Sequence, residues 1–258
     1  MSIFESLDTL RATPIPDQAE ARARKEGFRG HAIDKNCAAF GEAMVNLNDH
    51  GIAGENYYHS TRNPPYWRRI EGSIPDLLAR SAIALKLAGI NLVLHEGGLE
   101  LFVFDAWRPR AVQVYFHDVW MPQEVHKRNP SLSDEELERA VETHWAAPST
   151  NADSPAPHAT GGAVDLTLRF IGGERLWMGS IFDDVTDLAY RDHFERDDVP
   201  AMAFSDEEAR ANRRLLHWIM SDAGFVGHPD EWWHFSYGDQ LWAKLSGVSA
   251  ARYGEAKP

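Results

Sequence analysis

Two histidines and an aspartate stand out among the side chains that could carry out chemistry. His158 lies between a proline-rich loop and the pair Gly161 and Gly162, Asp165 follows in the same segment, and His234 lies much later in the chain. Catalytic zinc typically takes three nitrogen or oxygen ligands from the protein and leaves one position for water. The glycines let the backbone bend tightly between the first two residues. His158, Asp165 and His234 therefore form a candidate metal-ligand set.

Glu231 stands three residues before His234 in the run Glu231-Trp232-Trp233-His234-Phe235. A carboxylate that lies near a metal without binding it can take a proton from water and pass it to a leaving amine. In a regular strand, residues three apart point to opposite faces. We therefore predict a bulge, a turn or a strand start between Glu231 and His234, which would bring both side chains to one place.

Arg108 completes the candidate site from the run Phe104-Asp105-Ala106-Trp107-Arg108-Pro109. A guanidinium can donate two hydrogen bonds to a developing oxyanion. Arg108 could instead form a surface ion pair with Asp105. The other groups also have ordinary alternatives: the aspartate could end a turn, His234 could pack against the tryptophans, and the glutamate could simply be solvated. Eight other histidines lack a ligand-like setting: His31, His50, His59, His117, His126, His144, His193 and His217.

Several segments must position these side chains. The spacing of Leu78, Ala82, Leu85 and Leu92 predicts a helix over Pro75 to Glu96 with this stripe facing the core. The run Leu99 to Phe104 follows two glycines and has the composition of a strand. Pro109 is placed to begin a helix.

Ser133 with Glu136 and Ser205 with Glu208 match the capping box, so each pair predicts a helix start. Gly224 is placed to end the second helix near Ala223. We predict further strands at Ala163 to Leu168 and Trp232 to Tyr237, with a loop at Ala147 to Pro157. Helices and short strands without a steady βαβ rhythm favour an α+β fold, an antiparallel sheet flanked by helices.

Composition limits the class of protein. The chain has 258 residues, 43% of them hydrophobic, which is enough for one sizeable core. We expect a catalytic domain at 38–258 preceded by an N-terminal extension at 1–37. A net charge of −13 disfavours nucleic acid and anionic membranes as partners. The single cysteine, the lack of a signal-like N-terminus and the lack of a long apolar run predict a cytoplasmic protein that does not enter a membrane. Oligomeric state stays open.

Four runs in this order resemble the D-alanyl-D-alanine dipeptidase family, zinc peptidases of the VanX type that are related to D,D-carboxypeptidases and the hedgehog signalling domain. The resemblance covers roughly residues 40 to 245. The runs are Asp105-Ala-Trp-Arg108-Pro109, His158-x-x-Gly161-x-Ala163-x-Asp165-Leu-Thr-Leu168, Met178-Gly179-Ser180-Ile-Phe182-Asp183 and Glu231-Trp-Trp-His234-Phe.

The resemblance implies one zinc ion per chain, a hedgehog/D,D-peptidase-like single domain and hydrolysis of a D-Ala-D-Ala-like dipeptide. It implies that His158, Asp165 and His234 bind zinc, that Glu231 is the general base and that Arg108 stabilises the transition state. In the same way Asp183 resembles the acid that receives the substrate ammonium, and Asn56 and Tyr57 fall where the family has a substrate wall. The family commonly has a serine shortly before its first histidine, whereas Ala156-Pro157 stands here.

Two other functions fit parts of the pattern. A non-haem iron oxygenase also uses two histidines and one carboxylate, but it needs no general base nearby. A catalytically silent zinc module could bind peptides, although it would have no need of Glu231 and Arg108. Antibiotic resistance, cell-wall turnover and nutrient scavenging all remain open as physiological roles of a peptidase.

Overall fold

The computed structural model describes residues 7–144, 147–197 and 203–258. The strands are β1 (Met44–Asn46), β2 (Ala53–Gly54), β3 (Leu78–Arg80), β4 (Leu99–Asp105), β5 (Ala163–Phe170), β6 (Val226–Gly227) and β7 (His234–Ser236). The α-helices are α1 (Leu7–Ala12), α2 (Ala19–Lys25), α3 (Ser81–Glu96), α4 (Arg110–Tyr115), α5 (Met121–Arg128), α6 (Asp134–His144), α7 (Phe204–Asp222) and α8 (Gln240–Ser246). No helix within these described ranges is long and apolar enough to cross a bilayer.

A five-stranded sheet in the order β2-β4-β5-β7-β6 forms the centre of the fold. The pairs β4 with β5, β5 with β7, and β6 with β7 are antiparallel, as the sequence predicts, whereas the short edge strand β2 pairs parallel with β4. The register sets Asp165 opposite Asp105 on one side and His234 on the other. The α+β class is confirmed, and the sheet brings these three residues together from distant parts of the chain.

The helix predicted over Pro75 to Glu96 is wrong at its start and in its buried face. Residues 78–80 form β3, which pairs with β1, and α3 begins only at Ser81. The core-facing stripe contains Ile83, Leu87, Ile90 and Leu94, while the predicted core residues Leu85 and Leu92 are 69% and 73% exposed. Apolar side chains lie on both faces of this helix, so spacing alone could not identify the buried one.

The predicted helix start at Ser133 with Glu136 is confirmed. The Ser133 backbone N–H donates to the Glu136 carboxylate at 2.8 Å, and its hydroxyl accepts from the Glu136 backbone N–H at 3.4 Å. Gly224 follows α7 with φ +88°, which agrees with its predicted role at the end of that helix.

The capping box predicted at Ser205 with Glu208 is wrong. Ser205 already lies inside α7, and the Asp206 carboxylate instead accepts the Ala203 backbone N–H at 3.0 Å. An acidic residue in the first turn can satisfy the free backbone donors of a helix without a hydroxyl at the cap.

Candidate active site

The predicted ligand atoms of His158, Asp165 and His234 converge, all lying within 4.8 Å of one another. His158 Nε2 lies 3.1 Å from His234 Nδ1 and 3.3 Å from an Asp165 carboxylate oxygen, and His234 Nδ1 lies 3.1 Å from the other oxygen. All three side chains are buried. The short turn at Pro157–Thr160 supplies the first histidine, and neighbouring strands β5 and β7 supply the other two residues.

The chemistry of this set fits a divalent cation. His158 Nδ1 lies 2.7 Å from the Ala106 carbonyl, so it carries the proton there, and Nε2 turns a lone pair towards His234. Tetrahedral zinc with ligands at about 2.1 Å would separate those ligands by roughly 3.4 Å, close to the spacing found. Among the described residues, Asp165 Oδ1 is buried and makes no hydrogen bond. A buried acceptor that faces the Nδ1 of His234 suits a bound cation.

Glu231 lies beside this set without joining it. Its carboxylate is 3.8 Å from His234 Nδ1, and the side chain is 26% exposed. β7 starts at His234, so the strand start predicted between these two residues is present. Burial raises the pKa of Glu231, with a smaller opposing effect from His234. A carboxylate with a raised pKa at the edge of the set is suited to exchange protons with water.

His228 is a residue of this site that the sequence did not single out. Its Nδ1 is 4.0 Å from the Glu231 carboxylate, and its backbone N–H donates to the His234 carbonyl at 3.0 Å. Burial, then the positive charge of Lys25, holds the pKa of His228 well below its usual range. A neutral imidazole therefore lies against the candidate base. No spacing signal marked it, because only the β6 to β7 turn brings it there.

Arg108 is buried, and its ion pair with Asp105 lies inside the protein rather than on the surface. Its Nε donates to Asp105 at 2.8 Å, and an Nη donates to both Tyr58 and Asp165 at 3.1 Å. Burial alone would lower the pKa of Arg108, but the neighbouring Tyr58, Asp105 and Asp165 raise it above its ordinary value. The guanidinium is thus a fixed positive charge directly beside the metal-ligand set, and it lines the cavity described below.

We expect Arg108→Lys to lower kcat by about 10²- to 10³-fold, because an ammonium cannot reproduce the planar pair of donors to an oxyanion. KM should change much less. Steady-state kinetics on a dipeptide would measure both. Arg108→Ala should in addition lower the thermal unfolding midpoint, since Asp105 and Asp165 would lose a buried partner. An Arg108→Lys variant with wild-type kcat would contradict the assigned role.

Asp183 lies at another part of the same cavity, held by two tyrosines. Tyr58 and Tyr66 donate their hydroxyls to its carboxylate at 2.8 and 2.7 Å. Its φ of +58° is rare for a residue other than glycine, and the side chain is buried. Burial, reinforced by the charge of Asp165, raises the pKa of Asp183 to about 8. Such a carboxyl can pair with a cation that enters the cavity.

Asn56 and Tyr57 do not line this cavity within the described chain. The Asn56 side chain accepts the Tyr58 backbone N–H at 3.1 Å, and Tyr57 packs edge-on against Phe104 and Phe182. Their substrate-wall role stays a prediction. The neighbouring Tyr58 is the residue that contacts both Asp183 and Arg108.

Six of the candidate residues share one cavity of about 200 Å³. Its wall includes Arg108, His158, Asp165, Asp183, Glu231 and His234. Residues 25–28, from the predicted N-terminal extension, also line it. The volume suits a small molecule, and the wall combines a metal-ligand set, a candidate base and a fixed cation in one place.

The chain is similar in sequence to known proteins. Residues 72–251 match the family model described as D-ala-D-ala dipeptidase. A D-alanyl-D-alanine dipeptidase of Synechocystis sp. is 33% identical over 217 residues, which are 79% of this chain and 85% of that relative. One of Escherichia coli is 31% identical over 159 residues, 62% of this chain and 65% of the relative. The solved structure of a mutant of the vancomycin resistance D,D-pentapeptidase VanY in complex with Zn(II) aligns with a TM-score of 0.39 and 15% identity, covering 72% of this chain and 91% of that one.

The match to the family model covers more than half of the chain and includes every predicted metal ligand, the candidate base and Arg108. The protein is a peptidase. It belongs to the D-Ala-D-Ala dipeptidase family, and the resemblance stated from its sequence is confirmed.

Proposed function

We propose that the protein is a zinc-dependent dipeptidase that hydrolyses a D-Ala-D-Ala-like dipeptide, with His158, Asp165 and His234 holding the ion. The convergence of these three side chains beside Glu231 is the observation that carries the proposal. The family description and the names of the relatives support the substrate class. The cavity of about 200 Å³ is also in keeping with a small substrate.

A bound zinc ion supplies Lewis acidity for the scissile carbonyl and for water. Glu231 takes a proton from the attacking water and delivers it to the leaving amine. Arg108 donates hydrogen bonds to the oxygen on which negative charge develops. Asp183 pairs with the free ammonium of the substrate, which limits the reaction to peptides with an unblocked N-terminus.

The position of Glu231 favours hydrolysis over oxygen chemistry, because an iron oxygenase has no need of a base beside its ligands. It also argues against a silent peptide-binding module, since Arg108 and Glu231 are both kept at the cavity wall. Metal analysis together with cleavage of D,D-, L,L- and mixed dipeptides tests the proposal. We expect zinc and cleavage of D,D-dipeptides. Iron with coupled oxygen consumption, or peptide binding without cleavage, would contradict it.

Asp183→Asn should raise KM for D-Ala-D-Ala by about 10- to 100-fold, because a charge-assisted contact to the substrate ammonium is lost. The effect on kcat should be smaller. An N-acetylated dipeptide serves as the matched control, since it carries no ammonium and wild-type protein should cleave it poorly. The variant should discriminate far less between the free and acetylated substrates. If the variant prefers the free over the acetylated dipeptide as strongly as the wild type does, Asp183 does not recognise the ammonium.

The pH dependence of KM follows from the same carboxyl. Asp183 must be ionised to pair with an ammonium, and its pKa of about 8 means that ionisation increases as the pH rises from 6 to 8. We therefore expect KM to fall over that range, until loss of the substrate's own proton, at a pKa of ~8, reverses the trend. KM measured for Asp183→Asn should stay flat between pH 6 and 7. If KM of the variant falls with pH as steeply as KM of the wild type, the pH dependence does not come from Asp183.

A further inference from the structure

Part of the cavity wall is formed by the N-terminal part of the chain. Lys25, Glu26, Gly27 and Phe28 line the same cavity as His158, Glu231 and His234. The family model matches only residues 72–251, so this wall lies outside it. The residues come from the end of α2 and the turn that follows.

This N-terminal wall is anchored firmly to the rest of the fold. Arg22 forms ion pairs with both Asp192 and Asp230. The indole N–H of Trp218 donates to the Thr13 carbonyl at 3.0 Å, and the Gln240 side chain donates to the Arg29 carbonyl at 2.9 Å. These contacts hold the segment on both sides of α2, so its side chains have a defined position at the cavity.

Lys25 contributes a positive charge next to the candidate base. Its Nζ lies 2.5 Å from an oxygen of Asp230, the residue that precedes Glu231 in the chain, and the side chain is 16% exposed. Lys25, His228 and Glu231 line the same cavity. The contact with Asp230 therefore holds the ammonium on the Glu231 side of that cavity.

The direction of the substrate follows from the reaction. Asp183 receives the N-terminal ammonium, and Glu231 protonates the leaving amine, so the C-terminal residue must lie on the Glu231 side of the cavity. The carboxylate of a dipeptide is separated from its leaving nitrogen by one carbon. It must therefore lie close to Glu231, where an anion needs a cation for pairing.

Lys25 is the cation best placed for that anion among the described residues of the cavity wall. Arg108 already contacts Asp105, Asp165 and Tyr58. The His228 ring packs against His234, and its Nδ1 faces the Glu231 carboxylate. An ammonium has three donors, and the Asp230 contact uses one of them. In a chain with a net charge of −13, a local cation is also needed to attract a carboxylate.

We propose that Lys25 binds the C-terminal carboxylate of the dipeptide and thereby selects dipeptides with a free C-terminus, an inference that rests on the proposed function. Asp230 acts as a positioning residue that holds the ammonium at the wall. Ala156 and Pro157, which line the same cavity just before His158, offer no side-chain hydroxyl or charge to this anion.

The test compares D-Ala-D-Ala with its C-terminal amide, which lacks the charge. Wild-type protein should prefer the acid, and Lys25→Met should reduce the ratio of kcat/KM for acid over amide by about 10- to 100-fold, mainly through KM for the acid. Arg24→Met, a neighbouring exposed cation on the same helix, is the matched control and should leave the ratio unchanged. Lys25→Arg should retain most of the preference.

The outcomes separate the two proposals. If Lys25→Met lowers kcat/KM for acid and amide equally, the residue is only structural and this inference is overturned, while the dipeptidase function stands. The same holds if wild-type protein cleaves both substrates equally well. If the zinc-loaded wild-type protein cleaves no dipeptide, the proposed function fails and the inference fails with it.

Discussion

Glu231→Gln should lower kcat for D-Ala-D-Ala by about 10³-fold while the protein keeps its metal. The amide is nearly the same size as the carboxylate and cannot accept the proton from water, so the variant removes general-base catalysis alone. Because Glu231 lies 3.8 Å from His234 Nδ1 and outside the metal-ligand set, metal content should be unchanged. Stopped or continuous assays of released D-alanine, with metal analysis of the same sample, would measure both quantities.

Glu96→Gln is the matched control for this variant, since Glu96 is exposed at the end of α3, away from the cavity wall. It should retain wild-type kcat. Circular dichroism and the unfolding midpoint should be the same for all three proteins. Turnover by Glu231→Gln within a few-fold of wild type, with metal bound, would show that another group activates the water.

His234→Ala should abolish both metal binding and activity. Two protein ligands bind a divalent ion much more weakly than three do. Without the ion, its stabilisation of the transition state by several kcal/mol is also lost. We expect metal content to fall from about one ion per chain to a small fraction, and kcat/KM to fall by at least about 10³-fold. Inductively coupled plasma mass spectrometry and the dipeptide assay would measure these changes.

His95→Ala is the control, because His95 is an exposed histidine near the end of α3 and lies outside the metal-ligand set. It should bind metal and turn over like wild type. Dialysis of the wild-type protein against a chelator should reproduce the loss seen in His234→Ala, and added zinc should restore activity only to the wild type. Full activity after verified metal removal would contradict the role of the ion.

Much of the site could be predicted from the sequence, because its motifs carry the chemistry locally. His158, Asp165 and His234 belong to runs whose glycines and strand residues also specify the backbone that positions them. Glu231 comes close to His234 because β7 begins only at that histidine. In these cases the functional side chain and the local structure are encoded in the same few residues.

The residues missed were those that only tertiary packing brings to the cavity. Lys25 lies in a segment without sustained apolar periodicity, and His228 lies in a turn with no ligand-like spacing. Tyr66 reaches Asp183 across the fold, which no local pattern indicates. For the same reason the sequence predicted the wrong buried face of α3. Leu85 and Leu92 are apolar, as core residues are, but both are exposed in the folded chain.

X-ray diffraction collected on either side of the zinc absorption edge, from crystals of the wild-type protein grown with zinc, tests the metal-ligand set most directly. We expect one strong anomalous peak at about 2.0–2.2 Å from His158 Nε2, His234 Nδ1 and an Asp165 oxygen, with Glu231 near it but unbound. A peak located elsewhere, or no peak between these three side chains in a protein that cleaves D-Ala-D-Ala, would contradict the account.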